Sequence, residues 1–90
     1  MILETPYEMA EETAKRFRRL RTSKRVTMRE LSERSGVPYS TVRRFEKTGE
    51  VSFLALVKLT SALGEDRQIT RLFSDVVPQT IEEVIRGNRR

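Results

Sequence analysis

The chain has 90 residues, of which 37% are hydrophobic, and its 18 lysines and arginines against 13 acidic residues give a formal net charge of +5. This length is enough for one small domain. The sequence has no cysteine, which excludes disulfides, thiolate catalysis and cysteine-bound zinc. It also has no histidine, the usual general base and the commonest metal ligand. We therefore expect a protein that is not an enzyme and uses no cofactor or metal.

The N-terminal sequence and the hydropathy give an expectation about location. No apolar run approaches the roughly 18–20 residues that a membrane span requires. The start of the chain has no basic region, and its acidic residues do not suit a signal or transit peptide; they are Glu4, Glu8, Glu11 and Glu12. We expect a cytoplasmic protein with no membrane partner.

The positive charge is concentrated between Lys15 and Lys47. This segment holds 12 of the 18 basic residues and only three glutamates, so its formal charge is +9. Seven of these basic residues lie between Lys15 and Arg25. Such a run is either a solvated helix face or a surface for a polyanion. Charge alone does not choose between the two.

Helix signals occupy the first half of the chain. Thr5 and Glu8 form a capping box with Pro6 at the first helical position. Spacings of three and four predict that this first helix buries Tyr7, Ala10, Ala14, Phe17 and Leu20. A second capping box, Thr27 and Glu30, begins a short helix that contains Leu31 and ends at Gly36. A third helix is predicted from Tyr39 to Lys47, with Val42 and Phe45 facing inward and an end at Thr48 and Gly49.

The second half predicts more helices and a tail. Ser52 caps a fourth helix, from Phe53 to Leu63, which is apolar nearly all round and is expected to be central. Asp66 caps a fifth, which carries Ile69, Leu72 and Phe73. An extended linker is predicted from Ser74 to Gln79. A third capping box, Thr80 to Glu83, then begins a short last helix with Val84 and Ile85, and the chain has a basic end from Gly87 to Arg90. No strand-like alternation is present.

The second and third helices meet across residues 35–38, which is the arrangement of a helix-turn-helix. Leu31, Val37 and Val42 can meet in one small core and hold the two helices at a steep angle. The third helix then protrudes and can enter a DNA major groove, which is about 12 Å wide. An ordinary corner between two helices of a bundle shows the same glycine and apolar spacing, and it remains an alternative at this point.

Three groups of anchor residues span these helices: Leu20-Arg21, Thr27-Met28-Arg29-Glu30-Leu31-Ser32 and Gly36-Val37-Pro38-Tyr39-Ser40-Thr41-Val42-Arg43-Arg44-Phe45-Glu46-Lys47-Thr48-Gly49. With these anchors the sequence resembles the Xre/Cro-type helix-turn-helix family of bacterial and phage regulators. The stretch from Leu54 to Gly64 is similar to the next helix of that family. The resemblance implies an all-α, five-helix, lambda-repressor-like helix-turn-helix domain over residues 5–73. It is followed by a short C-terminal helical tail over residues 74–90.

The resemblance also implies roles for individual residues. Four positions match side chains that meet base edges: Tyr39, Ser40, Arg43 and Arg44. They fall on one exposed side of the third helix, and arginine is well shaped to bond guanine, although phosphate contact or solvent exposure is the alternative for each. Six positions match phosphate contacts: Thr27, Met28, Arg29, Thr41, Lys47 and Thr48. Arg21 and Glu46 match a buried structural ion pair, and Arg25 stands where the family often has a glycine.

These features predict a homodimeric, sequence-specific repressor that binds double-stranded operator DNA. The segment Gly36 to Glu46, together with the tail from Leu72 to Arg90, is similar to HipB-type antitoxins, which are encoded beside HipA-like kinases. This similarity predicts an autoregulating antitoxin whose possible partner is a HipA-like kinase toxin. The alternatives are a stand-alone regulator and an interaction module that inhibits a kinase by contact. The stretch Ile69 to Ile85 either forms a dimer or kinase contact or completes the core.

Overall fold

The structure is a computed structural model that describes residues 4–76. These residues form five helices and no strand: α1 (Pro6–Ser23), α2 (Met28–Ser35), α3 (Tyr39–Thr48), α4 (Phe53–Ala62) and α5 (Asp66–Thr70). The predicted all-α, lambda-repressor-like fold is therefore confirmed. No helix within residues 4–76 is long and apolar enough to cross a membrane. The capping box predicted at Thr80, the last helix and the basic end lie outside the described residues, so the boundary between domain and tail stays a prediction.

Two capping boxes begin α1 and α2, and two glycines end α2 and α3. The Thr5 hydroxyl accepts the Glu8 N–H, and the Glu8 carboxylate accepts the Thr5 N–H, both at 3.1 Å. Thr27 and Glu30 repeat this pattern at the same distances. In each box, the hydrogen bond from the threonine backbone N–H lowers the pKa of the glutamate carboxyl group, and the interaction with the threonine side chain lowers it further. The lowered pKa means that the charged form of the glutamate is favoured. α2 and α3 end at glycines in the left-handed region, Gly36 and Gly49.

The core lies where α1, α2 and α3 meet, with α4 packed against α2. It consists of Ala14, Phe17, Val26, Leu31, Val37, Val42, Phe45, Leu59 and Leu63. The rings of Phe17 and Phe45 meet edge to face, with centroids 5.2 Å apart, and so fasten α1 to α3. Leu31, Val37 and Val42 are all buried in this core, as the helix-turn-helix interpretation requires. Because these three side chains are buried together, they hold α2 and α3 against each other.

Two predictions of burial are wrong. α4 is not the central helix: it packs against α2 and α5, and although Ala55 and Leu56 of its first turn lie against the core, one side of that turn stays open within residues 4–76. Phe53 and Leu54 are consequently exposed, while Leu59 is fully buried. Tyr7, which was predicted to extend the buried stripe of α1, is also exposed. It lies in the first turn of α1, ahead of the buried Ala14 and Phe17.

The prediction for the fifth helix is wrong at both ends. Asp66 is its first helical residue rather than its cap, because the chain leaves α4 through the left-handed Gly64 and resumes helical geometry after Glu65. Leu72 and Phe73 lie beyond the helix, which ends at Thr70. Phe73 has a φ of +62° and is 89% exposed. Leu72 and Phe73 are therefore not part of the core.

Candidate nucleic-acid interface

The outer face of α3 gathers the four side chains predicted to meet base edges. Val42 and Phe45 point into the core, so the positions between them face outward. One shallow open depression is lined by Tyr39, Ser40, Arg43, Arg44, Lys47 and Thr48. We call these six residues the recognition face. It combines three cationic side chains with three hydroxyl groups, which can bond both base edges and phosphates.

A buried ion pair fixes the orientation of α3. The Arg21 Nε donates to Glu46 Oε2 at 2.7 Å and its Nη2 donates to Oε1 at 2.8 Å, while Nη1 donates to the Val26 carbonyl at 2.7 Å. The two side chains are 8% and 6% exposed. The hydrogen bond to Glu46 raises the pKa of Arg21 against the opposing effect of burial. The pair joins α1 to α3 and turns the one carboxylate of α3 inward, which leaves the recognition face without an acidic residue.

A stacked arginine links α2 to the start of α3. The Arg29 guanidinium carbon lies 4.5 Å from the centroid of the Tyr39 ring, which is the geometry of a cation–π contact. Met28 is half-buried against the core, and a thioether does not donate a hydrogen bond, so only its backbone N–H is suited to phosphate. As first and second residues of α2, Met28 and Arg29 have N–H groups with no partner inside the helix. The start of α2 thus presents donors beside Tyr39.

The basic run from Lys15 to Arg25 contains side chains in three different surroundings. Arg21 is buried with Glu46. Lys24 pairs with Glu65 at 2.9 Å, which directs its charge toward α5 and makes it a poor phosphate contact. Arg18 instead lines a depression together with Arg43 and Lys47 of the recognition face. The run is therefore neither a uniform solvated face nor a uniform anion-binding surface.

Two predicted phosphate contacts are placed differently from the others. Thr41 is half-buried and lines another depression, between the turn before α3 and the first half of α4. Thr48 lies on the recognition face, but its hydroxyl donates to the Arg44 carbonyl at 2.8 Å and accepts the Glu50 N–H at 3.1 Å. Its hydroxyl hydrogen is thus already used within the protein.

One residue at this face was not predicted from the sequence. Glu50 Oε2 accepts from Arg44 Nη2 at 2.5 Å, and the two side chains are 59% and 68% exposed. The left-handed Gly49 turns the chain so that residues six apart come together. Helical periodicity does not place residues six positions apart on one face, so the spacing of Arg44 and Glu50 does not predict their contact. An acidic residue directly after the glycine that ends α3 is the signal that could have identified it.

The architecture and this face define the class of protein. A short helix packed against α2 across residues 36–38, with a cationic outer face, is the arrangement of a helix-turn-helix DNA-binding domain. A family model described as helix-turn-helix matches residues 17–69. The chain therefore belongs to this family, in its Xre/Cro-type form, whose domains serve in DNA-binding transcription regulators. No curated protein and no solved structure matches the chain significantly.

Proposed function

We propose that the protein is a sequence-specific transcription repressor that binds operator DNA as a homodimer through the recognition face. The observation that carries the proposal is the segregation of charge on α3. Arg43, Arg44 and Lys47 face outward, while Glu46 is turned inward and neutralised by Arg21. An α-helix is about 10–12 Å across, which fits the major groove of DNA.

The contacts divide into base readout and backbone positioning. Arg43 and Arg44 can each donate two parallel hydrogen bonds to a guanine edge, and Tyr39 and Ser40 at the start of α3 are suited to nearby bases. The first N–H groups of α2, with the adjacent Thr27, suit a phosphate because a helix N-terminus carries partial positive charge. Arg18 of α1 lines a depression with Lys47 at the end of α3 and extends this positive surface.

The homodimer is supported by exposed apolar side chains away from the recognition face. They are Phe53 and Leu54 at the start of α4, and Leu72, Phe73 and Val76 after α5. Large exposed apolar groups of this kind mark association surfaces when they are contiguous. One recognition helix contacts only a few base pairs, which gives little sequence specificity. Helix-turn-helix proteins usually gain specificity by binding a palindromic site as a dimer.

The finer proposal is an autoregulating, HipB-like antitoxin. It rests on the segment Gly36 to Glu46 and on the exposed Leu72, Phe73 and Val76, which are available to a kinase partner. Co-expression with the neighbouring gene product tests it. Co-purification with an inactivated kinase supports the antitoxin, whereas a neighbour that is no kinase supports the stand-alone regulator. Inhibition of a kinase by a variant that no longer binds DNA would support an interaction module.

Selection from a random duplex library tests the DNA-binding function. Enrichment of one palindromic sequence is expected, together with a complex whose mass corresponds to two chains per duplex. We call the enriched DNA the selected duplex, and a permutation of it the scrambled duplex. Equal affinity for the two, or no binding to either, would contradict the proposal.

Arg44→Ala is expected to lower the specificity of binding. The loss on the selected duplex should be about 1–3 kcal/mol, because a bidentate contact to a base is removed. The scrambled duplex should lose much less. The fold should survive because the side chain is exposed, and circular dichroism provides this control. Equal losses on both duplexes would assign Arg44 to the phosphate backbone.

Arg18 and Lys24 form a matched pair of variants for the basic run from Lys15 to Arg25. Arg18→Ala is expected to weaken both duplexes by similar factors and to reduce the salt slope by about 1, as the loss of one phosphate contact predicts. Lys24→Ala should change binding little, because its ammonium group is directed to Glu65. Titrations over a range of salt concentrations distinguish the two. Identical losses for both variants would show that only the net charge matters.

A further inference from the structure

Glu50 places a carboxylate beside a face that is otherwise cationic. Its side chain is bonded to the Arg44 guanidinium, and its N–H is bonded to the Thr48 hydroxyl, which in turn bonds the Arg44 carbonyl. These three hydrogen bonds link both the backbone and the side chain of Glu50 to Arg44. The carboxylate therefore lies beside the end of α3.

The pair leaves Arg44 able to donate to DNA. Glu50 accepts from Nη2, and a guanidinium has five N–H donors in a rigid fork. The remaining donors are free to point toward a base edge. A side chain already held in one orientation loses less rotamer freedom on binding than an unrestrained arginine would. Glu50 therefore favours readout of a base at one position over loose contact with any phosphate.

The carboxylate also opposes the approach of phosphates. A negative charge on a DNA-binding surface repels the phosphates and so weakens the electrostatic attraction that supplies most of the non-specific affinity for DNA. This repulsion acts on every DNA sequence, whereas the orientation of Arg44 benefits only a sequence with the right base. On the selected duplex the two effects oppose each other, whereas on the scrambled duplex only the repulsion acts.

We propose that Glu50 is a specificity-determining residue, which positions Arg44 for base readout and reduces binding to non-cognate DNA. This proposal rests on the proposed DNA-binding function and adds to it a residue that does not itself bind DNA. For base readout Glu50 acts through Arg44, so it is a positioning residue, while its charge acts directly on phosphates. The repulsion should appear in both affinities, and the positioning of Arg44 should appear in their ratio.

Glu50→Gln tests the proposal because it removes the charge and keeps the shape. Asp75→Asn is the matched control, since it removes one negative charge from an exposed position beyond α5, outside the recognition face. Both variants are titrated with the selected and the scrambled duplex at several salt concentrations. Glu50→Gln is expected to tighten the scrambled duplex by about three- to tenfold and to tighten the selected duplex less, so that specificity falls by about threefold or more. Asp75→Asn should change both affinities by less than about twofold and leave their ratio unchanged.

A cycle with Arg44→Ala shows whether Glu50 acts through Arg44. If it does, adding Glu50→Gln to Arg44→Ala produces no further change in the specificity ratio. A ratio unchanged by Glu50→Gln in the wild-type background would overturn the proposal, as would an equal change with and without Arg44. The wild-type ratio is measured first. A wild type that does not distinguish the duplexes refutes the proposed function itself, whereas a specific wild type with an unaffected Glu50→Gln refutes only the role of Glu50.

Discussion

Replacing Glu46 by alanine is expected to lower the free energy of unfolding by about 3–5 kcal/mol, the usual cost of removing one partner from a buried ion pair. The change leaves the Arg21 guanidinium buried, with only its Nη1 still bonded to the Val26 carbonyl. A domain of this size is stable by roughly 5–10 kcal/mol, so much of its stability would be lost. Urea denaturation followed by circular dichroism measures the effect.

Glu33→Ala is the matched control for Glu46→Ala. Glu33 is an exposed glutamate of α2, so its replacement should stay within about 0.5 kcal/mol of the wild type. A double replacement, Arg21→Met with Glu46→Leu, should recover most of the loss, because packed apolar side chains can substitute for a buried pair. A loss below about 1 kcal/mol in Glu46→Ala would show that the pair does not hold α1 and α3 together.

Gly49→Ala is expected to cost about 2–5 kcal/mol, from two causes that act together. Gly49 has a φ of +83°, which an L side chain rarely adopts. A Cβ at this position would lie 2.5 Å from the Ala10 carbonyl carbon and 2.6 Å from its oxygen. The obstacle is the backbone of α1, which cannot move aside without separating α1 from α3. Chemical denaturation should therefore show a large loss of stability.

Gly36→Ala separates the two causes. Gly36 has nearly the same backbone conformation, with a φ of +75°, but a Cβ there would meet no atom within 4 Å. Its replacement should cost only about 1–2 kcal/mol, which is the conformational part alone. Equal losses at the two glycines would mean that the close approach of α1 and α3 contributes nothing to stability.

Local sequence signals predicted the helix starts and ends well. A capping box needs only two residues three positions apart, so Thr5 with Glu8 and Thr27 with Glu30 are legible without any tertiary information. Gly36 and Gly49 could be recognised from the sequence for the same reason, since each follows a short stretch with inward-facing apolar residues, Leu31 in α2 and Val42 and Phe45 in α3. The prediction that Asp66 caps α5 was wrong because aspartate also occurs inside the first turn of a helix. The geometry of the turn before α5 makes Glu65 the cap and Asp66 the first helical residue.

Features that depend on the packing of distant elements could not be predicted from local sequence patterns. The apolar surface of α4 indicated a central helix, but a small domain does not have enough layers to cover all of it. The pairing of Arg21 with Glu46 was implied by family resemblance and not by spacing, because the two residues are 25 positions apart. The contacts of Arg44 with Glu50 and of Arg29 with Tyr39 each cross a turn, where helical periodicity does not apply.

The central claim is that the outer face of α3 binds DNA, and amide chemical-shift changes on adding the selected duplex test it most directly. The account predicts the largest changes along α3 and at the first residues of α2, with small changes in α5. The scrambled duplex should give smaller changes at Tyr39, Ser40 and Arg44. Changes centred on α4 and α5, with α3 unaffected by the selected duplex, would contradict the account.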